Sequence, residues 1–359
     1  CGVTTAPKPK APLPGSQASP QLIAHIMSAK YHDGLPLYRQ EKMAKREGLD
    51  LPRSKLARWV IEGSKVLQPL WNLLEDTLFS YDITAADETG IQVLKEPDRA
   101  PQNKSWLWLR RGGPPDKPVI LVDYSSSRAG RVATHLLEQT QGYLICDAYA
   151  GYNPVVRENG LTLVLCNDHA RRKFSEAIKG MGKKDKGWVA NKALNYYKLL
   201  YRVERDCQVD RLQYRADYAK PIWDQFLQWA QDMQQRGVAH KGTREALAYL
   251  LNHQDGLQTY LEDGRLPISN IKTEHVAKTI AVARKNFLFA DTPAGADASA
   301  LVYSLLETAK ANGHHPQRYL SILFNELPNA KSVENIEALL PWHITPEQIS
   351  ERYAKLPTI

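Results

Sequence analysis

Apolar residues return every three or four positions over most of this chain, the period of amphipathic helices, and switch to alternation near residue 80. Ser19-Pro20 is an N-cap followed by Pro at the first helical position, which predicts a helix over roughly 20–32. The run "LYRQEKMAKREGLDLPRSKLARWVIEGSKVLQPLWNLLEDTLF" predicts a helix over 37–46, a tight turn at Gly48-Leu49-Asp50, a helix over 52–63 and a longer one to about 79. Two helices joined by a short turn with Gly form the helix-turn-helix pattern. In the second of them Arg53, Lys55 and Arg58 are exposed while Leu56, Trp59 and Val60 can pack. A helical bundle with a solvated basic face fits the same pattern.

From residue 81 the chain turns β-rich: "DITAADETGIQVL", "SWLWLRR" and "PVILVDYSS", with Gly/Pro turns at 112–115. "RVATHLLEQT" is helical, "GYLICDAYAGY" starts as a buried strand, and "LTLVLCNDHARRKF" runs from strand into helix. The order β-β-β-α-β-α-β-α predicts an α/β fold, a mixed sheet with helices on its faces. Residues 175–262 read almost wholly as helix, an α-helical insertion. Helices follow over 270–285, 297–311 and 315–325, and Thr345-Pro346 caps a last one. Residues 4–20 hold five prolines without apolar periodicity and read as an extended linker. The domains expected are therefore a linker at 1–19, a helical DNA-binding region at 20–79, an α/β domain at 80–174 plus 263–312, the insertion at 175–262, and a helical tail at 313–359.

Composition narrows the function classes. The chain of 359 residues is 43% hydrophobic and 24% charged, an ordinary globular balance. No run of about 18 apolar residues offers a membrane span. Net charge is +8, which favours a polyanionic partner. Cys1, Cys146, Cys166 and Cys207 show no paired disulfide spacing, so a reducing, cytoplasmic setting is the simpler reading.

Three acids stand out by position. Asp87 lies in the first strand, Asp147 at the C-terminal end of a buried strand, and Glu274 early in a helix after the insertion. Ends of strands in α/β sheets are where ligands bind. A strand, a strand end and a helix packed across them can bring three carboxylates together. Such a set is costly unless divalent cations neutralise it, and hard oxygens suit Mg²⁺ or Mn²⁺. Two such ions can serve phosphodiester chemistry. Each acid also has a plainer reading: Asp147 as a turn or cap residue, Glu274 as a solvated helix residue. Asp87 and Glu88 are neighbours on a strand and face opposite ways, so only one can enter a site. Asp87 is the ligand candidate, and Glu88 is expected to find a local hydrogen-bonding or basic partner.

The stretches "PLPGSQASPQLIAHIMSAKYHDGLPLYRQE", "ADETGIQVL", "DAYAGYN", "CNDHARRKF", "DGRLPISN" with "TEH", "ARKNFLFA", "YSLLETAKANG" and "LLPWHI" follow one another in the order seen in the insertion-sequence-66 family of transposases. Over nearly its whole length the chain resembles the catalytic subunit of that family. The resemblance implies a ribonuclease-H-like catalytic domain with an Asp-Asp-Glu triad, taken by Asp87, Asp147 and Glu274, and two Mg²⁺ or Mn²⁺ ions. It implies double-stranded DNA as partner (terminal inverted repeats and target), a homo-oligomer on DNA, accessory transposition proteins, and a bacterial, nucleoid-associated location. Family members carry a zinc-finger-like module before the proline linker, which would make Cys1 a truncated remnant. One departure is informative. Where the family reads Asp-Asn-Asn-x-Ala-Glu-Arg, this chain has Ser269-Asn270-Ile271-Lys272-Thr273-Glu274-His275. The acid remains, while the Asp, one Asn and the Arg do not. An inactive copy therefore stays open, as does a nuclease without strand transfer.

Cys166-x-x-His169 has metal-ligand spacing but no visible second pair, so a buried thiol with a hydrogen-bonded His is the simpler reading. In the family reading His169, Arg171, Arg172 and Lys173 stand near the active site, where they could contact phosphate. The run "RRKFSEAIKGMGKKDKG" carries seven Lys/Arg and suits DNA-backbone contact, as do Arg284 and Lys285. Glu307 is the rival third acid, more simply explained by an ion pair with Lys310 three residues on.

Overall fold

A computed structural model describes residues 11–16, 18–180 and 187–356. Cys1, most of the linker before residue 11, and the lysines at 183, 184 and 186 of the basic run lie outside the described residues. In chain order the elements are α1 (Pro20–Tyr31), α2 (Leu37–Arg46), α3 (Arg53–Phe79), β1 (Ile83–Gln92), β2 (Lys104–Gly112), β3 (Val119–Ser125), α4 (Gly130–Leu136), β4 (Tyr143–Cys146), α5 (Asn153–Glu158), β5 (Thr162–Leu165) and α6 (Asn167–Lys179). Then come α7 (Trp188–Asp206), α8 (Arg211–Tyr214), α9 (Lys220–Arg236), α10 (Lys241–Asn252), α11 (Gln254–Gln258), α12 (Ile271–Phe287), α13 (Pro293–Ala311), α14 (Pro316–Glu326), α15 (Val333–Glu337) and α16 (Pro346–Ala354). The fold is α/β, with both antiparallel and parallel strand pairing. It divides into two compact units, one up to Val132 and from His275 onward, the other Ala133–Glu274.

In the first unit β2 lies between β1 and β3, antiparallel to both, with Asp87 opposite Leu109 and Arg110 opposite Leu121. Leu107, Trp108, Leu109 and Arg110 of β2 are all buried, as a strand covered on both faces must be. The core joins Leu67, Leu70 and Leu74 of α3, Val119 to Val122 of β3, and Val302, Leu305 and Leu306 of α13. Helix α13 also satisfies backbone groups of β3. Ser304 Oγ accepts from Val122 N at 2.8 Å and Thr308 Oγ1 from Ile120 N at 3.0 Å. The same hydroxyls donate to the carbonyls of Val122 and Ile120 at 3.2 and 2.8 Å. Strand groups left without a ladder partner are thereby covered, which blunts pairing with another chain.

The N-terminal helices hold one surprise. The two helices expected over 52–79 are a single helix of 27 residues. Gly63 does not end a helix; it admits a close approach, since a Cβ there would lie 2.6 Å from Met27 Cε and 3.2 Å from Phe324 Cζ. Leu56, Trp59 and Val60 are buried as expected, and Arg53 and Arg58 are exposed. Lys55 is half-buried, its ammonium 5.6 Å above the Trp59 ring. Both capping expectations hold: Ser19 Oγ accepts from Leu22 N, and Thr345 forms a reciprocal capping box with Gln348.

The second unit pairs β4 and β5 in parallel, Cys146 opposite Leu165. The expected insertion is mostly helical, α7 to α11 joined by short connections such as 207–210 and 237–240. Its core is aromatic: Tyr197 meets Trp223 and Phe226 edge-on, while Tyr196 stacks on Phe226 with centroids 4.7 Å apart. Arg215, fully buried, is held by Glu204 at 2.8 and 2.7 Å and by the carbonyls of Tyr260, Asp263 and Leu266. No helix among the described residues is long and apolar enough to cross a membrane.

Candidate metal and nucleic-acid site

The second unit brings the start of α6 against the start of α12. Cys166 is the residue before α6, so His169 falls in the first helical turn on the same side of the chain. Two tethers hold this corner: Asn167 N donates to the Ile268 carbonyl at 3.2 Å, and Asn167 Nδ2 to the Leu257 carbonyl at 2.9 Å. They place the approach to α12 over the Cys166 thiol, and Asn270 N donates to Cys166 Sγ at 3.2 Å.

Glu274, in the first turn of α12, reaches into this corner. Its Oε1 lies 3.2 Å from Cys166 Sγ and 3.5 Å from His169 Nδ1, and its Oε2 accepts from Arg172 Nη2 at 3.2 Å. Cys166, His169 and Glu274 each offer a ligand atom, all three within 4.8 Å of one another. Burial, aided by the Glu274 carboxylate and opposed by the Asn270 N–H, pushes the Cys166 thiol up to about 12. The thiol is therefore protonated and donates to Glu274. His169 Nδ1 is buried and makes no hydrogen bond. The thiol is buried as expected, while this ring nitrogen has only the Glu274 carboxylate at 3.5 Å and no hydrogen bond, which is costly unless something occupies it. The donor set is mixed. A carboxylate oxygen suits Mg²⁺ or Mn²⁺, while sulfur and imidazole nitrogen suit softer ions.

Asp147 also lies in this unit, just past β4, and is half-buried. Its Oδ1 accepts from Tyr149 N at 2.9 Å, the turn geometry foreseen as its plainer reading. Burial and the charge of Asp147 push the Tyr249 hydroxyl up to about 12, and Lys173 Nζ sits 4.6 Å above the same ring. Arg171 pairs with Asp168 at 3.1 Å and leans on Tyr201. Arg171, Arg172 and Lys173 are all exposed.

Asp87 lies in β1 of the first unit, half-buried, with its Oδ1 2.9 Å from Glu88 N. Glu88 behaves as expected. Its side chain is 2% exposed, and Arg128 binds it through Nε at 2.7 Å and through Nη2. Arg128 in turn lies 5.0 Å from the Trp106 ring. Glu307 has the plain role expected of it: buried, with Lys310 Nζ at 2.9 and 3.0 Å from its two oxygens. On α12, Arg284 is half-buried and Lys285 exposed.

The family model for the transposase IS66 family matches residues 15–298, and that of the IS66 C-terminal element matches 304–342. The chain belongs to the IS66 transposase family. Two relatives from Sinorhizobium fredii (strain NBRC 101917 / NGR234) are similar nearly end to end. "Uncharacterized protein y4jD" is 28% identical over 362 residues, covering 98% of this chain and 71% of its own length. "Uncharacterized protein y4qI" is 28% identical over 366 residues, covering 97% and 67%. In this IS66 chain the residue that sequence reasoning undervalued is Cys166. The C-x-x-H spacing was the available signal, and its third member lies 108 residues downstream.

Proposed function

We propose that this chain is a metal-dependent DNA transposase with a ribonuclease-H-like catalytic domain. It cleaves transposon ends by hydrolysis, frees a 3′-OH and joins that 3′-OH to target DNA. The observation that carries this reading is membership of the IS66 transposase family across residues 15–298. Asp87, Asp147 and Glu274 are the residues that would hold two Mg²⁺ or Mn²⁺ ions. Their carboxylates are hard donors and fit such ions. When bound, the ions supply charge stabilisation to the attacking and leaving oxygens of phosphodiester cleavage.

The protein's own groups do the positioning. Arg171, Arg172 and Lys173, exposed on α6, bind DNA phosphates, as do Arg284 and Lys285 of α12. Arg53, Lys55 and Arg58 at the start of α3 contact the terminal inverted repeats. The active form is a homo-oligomer on two DNA ends, working in the bacterial cytoplasm at the nucleoid, with accessory transposition proteins. The test is Mg²⁺-dependent cleavage of a duplex carrying a transposon end. Asp87→Asn abolishes cleavage and leaves DNA binding near wild type; equal cleavage by that variant would sink the assignment. Strand-transfer products distinguish a transposase from a nuclease of the same fold.

A second reading rests on one observation. Both oxygens of Glu274 already have partners, the Cys166 thiol and Arg172, and the flanking run departs from the family pattern at Ser269, Ile271 and His275. A DNA-binding relative without cleavage activity fits that arrangement, and the same assay separates the two.

A further inference from the structure

We infer that Cys166, His169 and Glu274 form a binding site for one thiophilic divalent ion of the Zn²⁺ class, which shares Glu274 with the hard-metal site proposed above and draws its other two ligands from α6. Four observations in the second unit converge on it. The first is distance. With Zn–S about 2.3 Å and Zn–N or Zn–O about 2.0–2.1 Å, tetrahedral angles set S···O at about 3.5 Å and N···O at about 3.3 Å. Here Sγ···Oε1 is 3.2 Å and Nδ1···Oε1 is 3.5 Å. Both are within a few tenths of those values, and all three ligand atoms lie within 4.8 Å of one another.

The second observation is the orphan. His169 Nδ1 is buried without a hydrogen-bond partner while pointing at the same carboxylate oxygen as the thiol. A metal would give that nitrogen a partner. The third is the setting of the sulfur. Cys166 stands at the N-terminus of α6, a helix of 13 residues, and receives the Asn270 N–H. Both favour a thiolate over a thiol. Binding releases the thiol proton to solvent as the metal–sulfur bond forms, so charge balances as M²⁺ replaces H⁺. The fourth is orientation from outside the ligand set. Arg172 binds Oε2 at 3.2 Å and leaves Oε1 for the ion, as outer groups commonly aim a ligand. Three protein ligands leave one position for water, and the ion would clamp the start of α12 to the start of α6.

The experiment is titration of the full chain with Co²⁺ alone, followed by absorption. One equivalent is expected to give a thiolate-to-cobalt charge-transfer band and the intense visible bands of four-coordinate cobalt. A hard carboxylate site gives neither. Cys166→Ser loses the charge-transfer band, while Cys207→Ser, outside the cluster, keeps it. His169→Ala and Glu274→Gln retain the band only at higher Co²⁺, and Arg172→Gln weakens binding about tenfold. Circular dichroism confirms that each variant is folded; His169, partly exposed, is the second variant if Cys166→Ser is not. A folded wild type with no charge-transfer band at equimolar Co²⁺ overturns the proposal. So does a band that survives in folded Cys166→Ser or is lost in Asp87→Asn. Because Asp87→Asn is expected to bind Co²⁺ normally while losing DNA cleavage, failure of this site and failure of the transposase reading are separate results.

Discussion

Two polar clusters, one in each unit, set a strong contrast. In the first unit Arg110 is almost fully buried, yet Asp123 takes its Nε and Nη2 at 3.0 and 3.1 Å and Glu75 takes Nη2 at 2.6 Å. The Phe79 ring lies beneath it. Despite burial, the two carboxylates hold its pKa above the ordinary value. In the second unit Glu274 is more exposed, but its neighbours are a protonated thiol, an orphan imidazole nitrogen and one half-exposed Arg. The Arg110 guanidinium is held by two carboxylates, while the Glu274 cluster has unused coordinating capacity. A satisfied buried network gives rigidity; an incompletely satisfied one has chemistry left to do.

The largest expected effect would break that contrast outright. Glu274→Gln should end Mg²⁺-dependent end cleavage while moving the unfolding free energy by less than about 1 kcal/mol, since its ion partners are half exposed. A folded Glu274→Gln protein that still cuts would return Glu274 to the bland reading of a surface helix residue. Arg110→Ala should do the reverse. It leaves Asp123 and Glu75 facing each other without their cation and should cost about 3–5 kcal/mol in denaturant unfolding. A loss near zero would mean that solvent reaches the cluster.

Glu307→Gln sharpens the comparison by testing the rival acid. Its carboxylate is occupied by Lys310, so cleavage should persist at the wild-type rate, with stability reduced by about 1 kcal/mol. Loss of cleavage in a stably folded Glu307→Gln protein would exchange the two glutamates' roles. A further test concerns the thiol. Cys166 titrates near 12 in the folded chain against about 8.5 in an unfolded one, so the folded state holds the extra proton. That contribution is complete below about pH 8.5 and is lost as pH rises through 12. Metal-free wild type should therefore lose more stability than Cys166→Ser between those limits, measured by denaturant titration at several pH values. Parallel curves would show that the thiol is not buried as described.

How much of this was legible beforehand follows from the range of the forces. The five strands, their order and the capped starts of α1 and α16 were readable because periodicity, β-branched runs and Ser/Thr-Pro caps act over a few residues. The opposed facing of Asp87 and Glu88 followed from strand geometry, and the Arg128 clasp on Glu88 bears it out. The merging of two expected helices into α3 was not readable. Gly63 looks like punctuation in sequence, but its lack of a side chain serves contact with Met27 and Phe324. The basic residues at 171–173 could be found, while their individual partners could not.

The sequence by itself determined the family, the elements and the short-range pairs, because local propensity and ordered motifs are properties of neighbouring residues. Tertiary structure alone decided the company kept by Glu274. Cys166 and His169 share a helical turn, but nothing local ties them to a carboxylate 108 residues on. Packing of the loop before α12 onto the start of α6, fixed by Asn167 and Asn270, puts sulfur, nitrogen and oxygen in one corner. Long-range placement of that kind depends on the whole unit burying its core, and no window of sequence contains it.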